Sequence, residues 1–282
     1  MYQLNYLKNM KVSVIIPVFN RPVMVLKAID SVLNQTWKEL ELIVVDDGST
    51  DNTFNVIKSI KDDRLKLLHQ EHKGVSAARN YGIKESCGDF IAFLDSDDYW
   101  LKEKLEKQMS IMLKDKDCLL IHTEEIWLKN GRRHNPKEKH KKREGDIFEQ
   151  SLKLCSMSIG TILVRRKVFD LIGVFDESFT VCEDYDLWLR FTAFFNVRLI
   201  PEPLVVRTGG HPDQLSQRFR GMDKFRIKSI LKILNNPELD RLKRIKAYEE
   251  LKRKCFIYGH GCRKRFRYGE ALYYLSLPFM VN

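Results

Sequence analysis

The sequence predicts an α/β fold, a mostly parallel sheet with helices on both faces, followed by a helical extension. Two observations carry this. Short apolar, β-branched runs recur at spacings of about 25 residues with helical segments between them, the alternation that builds right-handed crossovers between parallel strands. Each run also ends in acids or loop residues, and open α/β sheets bind ligands at the carboxyl ends of their strands. At 282 residues the chain has room for one large domain, or a domain plus an appendage, with an ample core.

The elements follow in order. Val12 to Val18 reads as a strand that Pro17 and the loop Phe19-Asn20-Arg21-Pro22 bring to an end, and a helix follows to about Gln35. Glu41 to Val45 is a second strand running into Asp46-Asp47-Gly48-Ser49-Thr50-Asp51, where Gly48 permits the turn and Ser49 to Asp51 can cap a helix reaching about Ile60. Carboxylates only accept, so one of Asp46 and Asp47 can take a uracil imide or ribose hydroxyls. Read alone, the stretch is equally a strand-to-helix turn with capping acids. Leu65 to His69 is a third strand, and Gly74 to Asn80 opens a helix whose Arg79 either reaches a base or phosphate or is a solvated charge.

Ile91 to Leu94 is a strand buried on both faces, ending in Asp95, Asp97 and Asp98. Asp95 and Asp97 flank Ser96, so both carboxylates can converge on a hard cation, Mg²⁺ or Mn²⁺, that holds a diphosphate. The alternative is that Asp97 or Asp98 caps the helix starting near Leu101. The features near Phe19, Asp46, Arg79 and Asp95 all fall on one edge of such a sheet, which makes that edge a candidate sugar-nucleotide site.

In order and spacing, SVIIPVFNRP, VVDDGSTDNT, GVSAARNYGI and FLDSDDYW resemble the nucleotide-binding half of family-2 glycosyltransferases with the glycosyltransferase A fold. The resemblance implies inverting transfer from a nucleotide-diphosphate sugar, commonly a UDP-sugar. It implies donor contacts at Pro17, Phe19 and Asn20, at Asp46 and Asp47, at Arg79, and at Asp95 and Ser96, with the metal-binding Asp-x-Asp at Asp95 and Asp97. GVFDESF followed by EDYDLWLR is similar to the acceptor-side motif whose Asp is the catalytic base, which makes Asp184 that base and Glu183 its neighbour. On physics alone both acids would serve a helix N-terminus. The resemblance also points to His211, in the loop Thr208 to Ser216, as a metal or diphosphate contact; surface exposure is the alternative.

The acceptor half, 118–217, is expected to hold a strand over Cys118 to Leu128, a strand over Gly160 to Arg165, a short helix over Lys167 to Leu171, and an edge strand over Leu204 to Arg207. Leu187, Phe191 and Phe194 are expected to share one helical face. Lys129 to Gly145 shows neither period and carries eight Lys and Arg against Glu138 and Glu144; it is either a solvated loop or a clamp for an anionic acceptor or the diphosphate. The catalytic domain is expected to span 1–217, with the nucleotide-sugar half over 11–117.

The formal charge of +11 is uneven. From Arg218 onward 17 Lys and Arg face 6 acids, while the preceding residues balance at 32 against 32. The tail, 218–282, reads as basic helices over Phe225 to Leu234, Leu242 to Phe256 and Tyr258 to Tyr274, with Gly259 to Cys262 as an interruption or a close contact. Such a tail suits anionic lipid headgroups, a partner protein, or a solvated cap. No apolar run is long enough to span a bilayer, no signal peptide is evident, and six scattered cysteines without a CxxC indicate neither disulfides nor zinc. The expected setting is cytoplasmic, with peripheral contact at the inner face of the membrane, and the expected partners are a nucleotide-sugar donor and a glycan or lipid-linked acceptor. Rival readings are a nucleotidyltransferase, which would favour a Gly-rich phosphate loop that PVFNRP lacks, and a noncatalytic sugar-nucleotide or glycan binder. Nucleic acid is not an expected partner, since no reader motif accompanies the basic tail.

Overall fold

The computed structural model describes residues 10–135, 137–210 and 221–281. Its first half is a series of crossover units: β1 (Val12–Val18), α1 (Met24–Leu33), β2 (Leu40–Asp46), α2 (Thr53–Lys58), β3 (Leu65–His69), α3 (Val75–Glu85) and β4 (Phe90–Phe93). β1 pairs in parallel with β2 and with β4, and β3 lies outside β2. Period-two alternation divides the strand side chains between two cores. Val12, Val14 and Ile16 pack on one face, while Ile15 and Ile43 pack on the other with Ala78 of α3. α3 approaches closely because Gly82 has no Cβ; one placed there would lie 2.5 Å from Ile15 Cγ2.

β1 ends at Val18, as the sequence predicts, with Pro17 inside it and paired to Val45. The position tolerates proline because the Ile15 carbonyl accepts from Leu94 N, so the 15 and 17 amide positions face β4, whose ladder stops at Phe93. The order β3-β2-β1-β4 makes β1 and β4 the switch point, the place where such sheets open a crevice.

The second half adds β5 (Tyr99–Trp100), α4 (Lys104–Lys114), β6 (Leu120–Lys129), β7 (Arg132–His134), α5 (Phe148–Lys153), β8 (Leu163–Arg165), α6 (Val168–Ile172), α7 (Glu183–Thr192) and β9 (Arg198–Gly209). β8 joins β4 antiparallel and leads to β6, β9 and β5, so the expected parallel arrangement holds in the first half and between β6 and β9, and the sheet as a whole is mixed. β9 is not the edge strand expected over Leu204 to Arg207: it has 12 residues and lies between β6 and β5. Its pairing with β6 shifts register where Pro203 meets Glu124, and that irregularity absorbs the prolines. The stretch read as aperiodic, Lys129 to Gly145, contains a hairpin. Asn130 and Gly131, at φ 50° and 76°, form the turn between β6 and β7, a conformation that Asn-Gly favours. α7 ends at Thr192, so Phe194 is exposed and does not share the buried face of Leu187 and Phe191.

The tail forms α8 (Asp223–Leu234), α9 (Arg241–Arg263) and α10 (Tyr268–Ser276). α9 starts at Asp240, whose Oδ1 accepts from Leu242 N at 2.8 Å and Lys243 N at 3.2 Å. It continues unbroken through Gly259 to Cys262, which corrects the helix boundaries expected there. Gly259 is the close contact: a Cβ would lie 2.7 Å from Leu275 Cγ, so the residue lets α10 fold back against α9. Ile230, Leu251 and Cys255 of the tail share a third core with Phe148 of α5 and with Tyr185 and Leu189 of α7. The tail thus backs the helix that carries Glu183 and Asp184. No described helix is long and apolar enough to cross a membrane.

Candidate active site

Three strand ends build one side of the crevice. After β1, Asn20 adopts φ 51°, a conformation Asn tolerates, and its Oδ1 accepts from Thr50 N at 2.8 Å, tying the first loop to the second. Phe19 stacks on His72 with centroids 4.1 Å apart, giving an exposed flat wall. After β2, Asp47 is fully engaged: Gln70 Nε2, Lys73 N and Gly74 N donate to it at 2.6, 2.9 and 2.9 Å. Asp46 Oδ2 meets His69 Nδ1 at 2.8 Å, while its buried Oδ1 has no donor among the described residues. An acceptor left this way is costly unless a ligand fills it.

After β4, Asp95, Ser96, Asp97 and Asp98 face the same crevice. Arg21 Nη1 pairs with Asp97 at 2.9 Å and reaches Ser96 Oγ at 3.4 Å. Asp98 accepts from Thr208 N of β9 at 2.7 Å, and burial together with the charges of Asp97 and Asp95 pushes its carboxyl well above the usual range. That accumulation of hard, negative oxygen fits a divalent cation. Among the described residues no group of three or more His, Cys, Asp or Glu could hold a metal. Two carboxylates completed by substrate phosphates are instead how Mg²⁺ is commonly held. His211 lies outside the described residues.

Arg79 joins this side to the acceptor half. It is buried one turn into α3, with Nη2 2.7 Å from Asp95 Oδ1 and Nη1 2.6 Å from Glu183 Oε1. Its guanidinium stays charged because Asp95, Glu183 and Asp184 more than offset the burial that opposes it. Burial also pushes the Glu183 carboxyl up, against the pull of Arg79. Asp184 lies next in α7, its Oδ1 2.7 Å from Tyr185 N and its Oδ2 3.3 Å from Cys155 Sγ. Arg207 of β9 closes the group; burial opposes its charge, and Glu125, Asp98, Asp95 and Asp184 keep it protonated.

A model of Glycosyl transferase family 2 matches residues 13–173, more than half of the chain. The chain belongs to this family. Family-2 relatives include an uncharacterized glycosyltransferase of Rickettsia bellii, 35% identical over 188 residues that make up 66% of this chain and 27% of that protein. Another is the Escherichia coli protein WfgD, described as a UDP-Glc:alpha-D-GlcNAc-diphosphoundecaprenol beta-1,3-glucosyltransferase, 37% identical over 67% of this chain and 72% of that one. The chain thus spans less than a third of the Rickettsia bellii relative. The crystal structure of Staphylococcus aureus TarS 1-349 in complex with UDP-GlcNAc superposes with a TM-score of 0.70 at 23% identity, covering 88% of this chain and 73% of that one. The fold is the glycosyltransferase A fold that the motifs implied.

Of the site residues read from sequence, Arg79 joins Asp95 to Glu183, whose neighbour is Asp184; Ser96 and Asp97 share Arg21; and Asn20, Asp46 and Asp47 are tied into the loops that follow β1, β2 and β3. Pro17 is buried in β1 and serves the strand. Sequence reasoning missed the groups that hold these acids: His69 at the end of β3 and His72 on the turn after it, Arg21 inside a quoted motif, and Cys155 and Arg207 far along the chain. Arg21 had a signal, as the one charge in PVFNRP. The others are placed by tertiary contact alone.

Proposed function

We propose that the chain is a metal-dependent inverting glycosyltransferase that moves a sugar from a nucleotide-diphosphate donor, a UDP-sugar, to an acceptor hydroxyl in surface-polysaccharide or glycan synthesis. The observation that carries the reading is the Arg79 bridge: its guanidinium meets both the strand-end carboxylate Asp95 and Glu183, the neighbour of Asp184 and 104 residues beyond Arg79 in sequence. Diphosphate-side acids and an acceptor-side acid therefore border one crevice, the arrangement a displacement at an anomeric carbon requires.

In this reading the base slides along the Phe19–His72 wall. Asp46, with its unfilled oxygen, accepts from the imide or ribose, while Asp47 shapes the turn. Asp95 and Asp97 hold the cation, Mg²⁺ or Mn²⁺, which when bound neutralises charge on the departing diphosphate as a Lewis acid. Arg21 and Arg207 add fixed positive charge beside the leaving group. Asp184 takes the proton of the acceptor hydroxyl as its oxygen attacks opposite the diphosphate. The Cys155 thiol and the Tyr185 amide fix that carboxylate's orientation. The description of WfgD names a lipid-linked GlcNAc diphosphate as its acceptor, which supports a lipid-linked acceptor here and peripheral contact with a membrane.

A thermal-shift panel tests this with UDP-, GDP-, CMP- and dTDP-sugars, each with Mn²⁺, with Mg²⁺ and with chelator. UDP-sugars are expected to raise the melting temperature and chelator to abolish the rise. A flat response to every donor and metal would favour a protein that binds no sugar nucleotide.

A further inference from the structure

The stretch from Arg263 to Met280 forms a surface that the crevice does not use. It is fixed from within. Tyr258 packs edge-on against Tyr274 with centroids 4.6 Å apart and donates to Glu270 at 2.7 Å. Tyr248 Oη donates to the Pro278 carbonyl at 2.9 Å, holding the terminal turn Leu277–Met280 against α9. On the outside, Phe266, Tyr268, Leu272, Tyr273, Phe279 and Met280 are all exposed, Phe279 to 85% and Phe266 to 78%. Tyr268 and Leu272 lie one helical turn apart on the same face of α10. Arg263, Lys264, Arg265 and Arg267 are exposed at the turn between α9 and α10, beside Phe266 and Tyr268. The one acid of the stretch, Glu270, is already held by Tyr258 and Arg267.

We propose that this surface docks the protein on an anionic bilayer, with Phe279 and Met280 entering the boundary between headgroups and acyl chains and Arg263, Lys264 and Arg265 meeting lipid phosphates. Single exposed apolar residues need no explanation, but six within eighteen positions do. Aromatic rings beside Lys and Arg are the composition of the membrane interface, where amphipathic side chains bury their apolar part and keep the charge wet. A second copy docked through the same patch would bring a net six positive charges together. A nucleic-acid surface would use the rings and the charges but gives Leu272 and Met280 no partner. The inference rests on the lipid-linked acceptor for its purpose and not for its test.

The test is co-sedimentation of the full chain, without donor, with phosphatidylcholine vesicles and with vesicles that also contain phosphatidylglycerol. Binding is expected only with phosphatidylglycerol and is expected to weaken as salt rises. Two double substitutions, Lys264→Glu with Arg265→Glu and Phe279→Ser with Met280→Ser, should each lower the partition by about tenfold or more while leaving the melting temperature and the donor shift unchanged. Gly269→Glu gives an independent variant: a Cβ there meets nothing within 4 Å, so it adds negative charge without a clash and should also weaken binding. Equal binding to both vesicle types, or undiminished binding by all three variants, would overturn the proposal. So would a dimer that the Phe279 and Met280 substitutions dissociate, or a preference for duplex oligonucleotide over the vesicles. Vesicle binding without any donor shift would leave this inference standing and remove the glycosyltransferase reading instead.

Discussion

On the donor side of the crevice, Asp46 and Asp47 are held largely by the loops that end β2 and β3: Ser49 N donates to Asp46, and Lys73 N and Gly74 N donate to Asp47. Glu183 and Asp184 depend on side chains from elsewhere in the chain, Arg79 and Cys155, with Tyr185 N as a main-chain donor to Asp184. Main-chain donors follow from local turn geometry and survive most substitutions around them. Side-chain donors do not, so the acceptor side depends on a few long-range partners, and its helix needs the tail's apolar core behind it. Breaking individual partners should therefore disturb Glu183 and Asp184 far more than Asp46 and Asp47.

The largest stability effect is expected at Arg79. Arg79→Met leaves Glu183 buried without its counter-charge and should cost about 3–5 kcal/mol, read by urea unfolding. A loss near zero would mean that the bridge is incidental. His122 of β6 offers a pH-dependent break. It is fully buried, its Nε2 2.8 Å from the Arg143 carbonyl, and burial together with Lys142 lowers its pKa to about 3. The unfolded chain binds that proton near pH 6.5, so stability is fully present above this value and falls as pH drops toward 3, by about 3 kcal/mol at pH 4. His122→Gln should flatten that part of the pH–stability curve; an unchanged slope would assign it to other groups. A smaller effect is expected at Gly259→Ala, where Leu275 must move away from the new methyl group: about 1–3 kcal/mol, seen as a lower melting temperature with donor binding intact.

The same contrast decides what the sequence made legible. Strand ends carrying acids could be read because a strand's period and the residue after it lie within ten positions, so Asp46, Asp47, Asp95 and Asp97 were found without tertiary information. β7 was missed although Asn130-Gly131 is a strong hairpin signal, because the surrounding basic residues obscured any alternation. β9 was read short because Pro201 and Pro203 look like breaks until a register shift against β6 accommodates them. Arg207, Cys155 and the two histidines act through contacts that no spacing encodes. The base assignment at Asp184 came from motif resemblance, since charge at a helix N-terminus is equally explained by capping.

The central claim is that Asp184 serves the acceptor while the strand-end acids serve the donor. The direct measurement is Asp184→Asn, assayed for UDP-sugar binding by thermal shift and for transfer to a lipid-linked acceptor. The account predicts a donor shift equal to the unsubstituted protein's and a fall in transfer of about 10²–10⁴-fold. Transfer within a factor of a few of the original, with the shift intact, would contradict it.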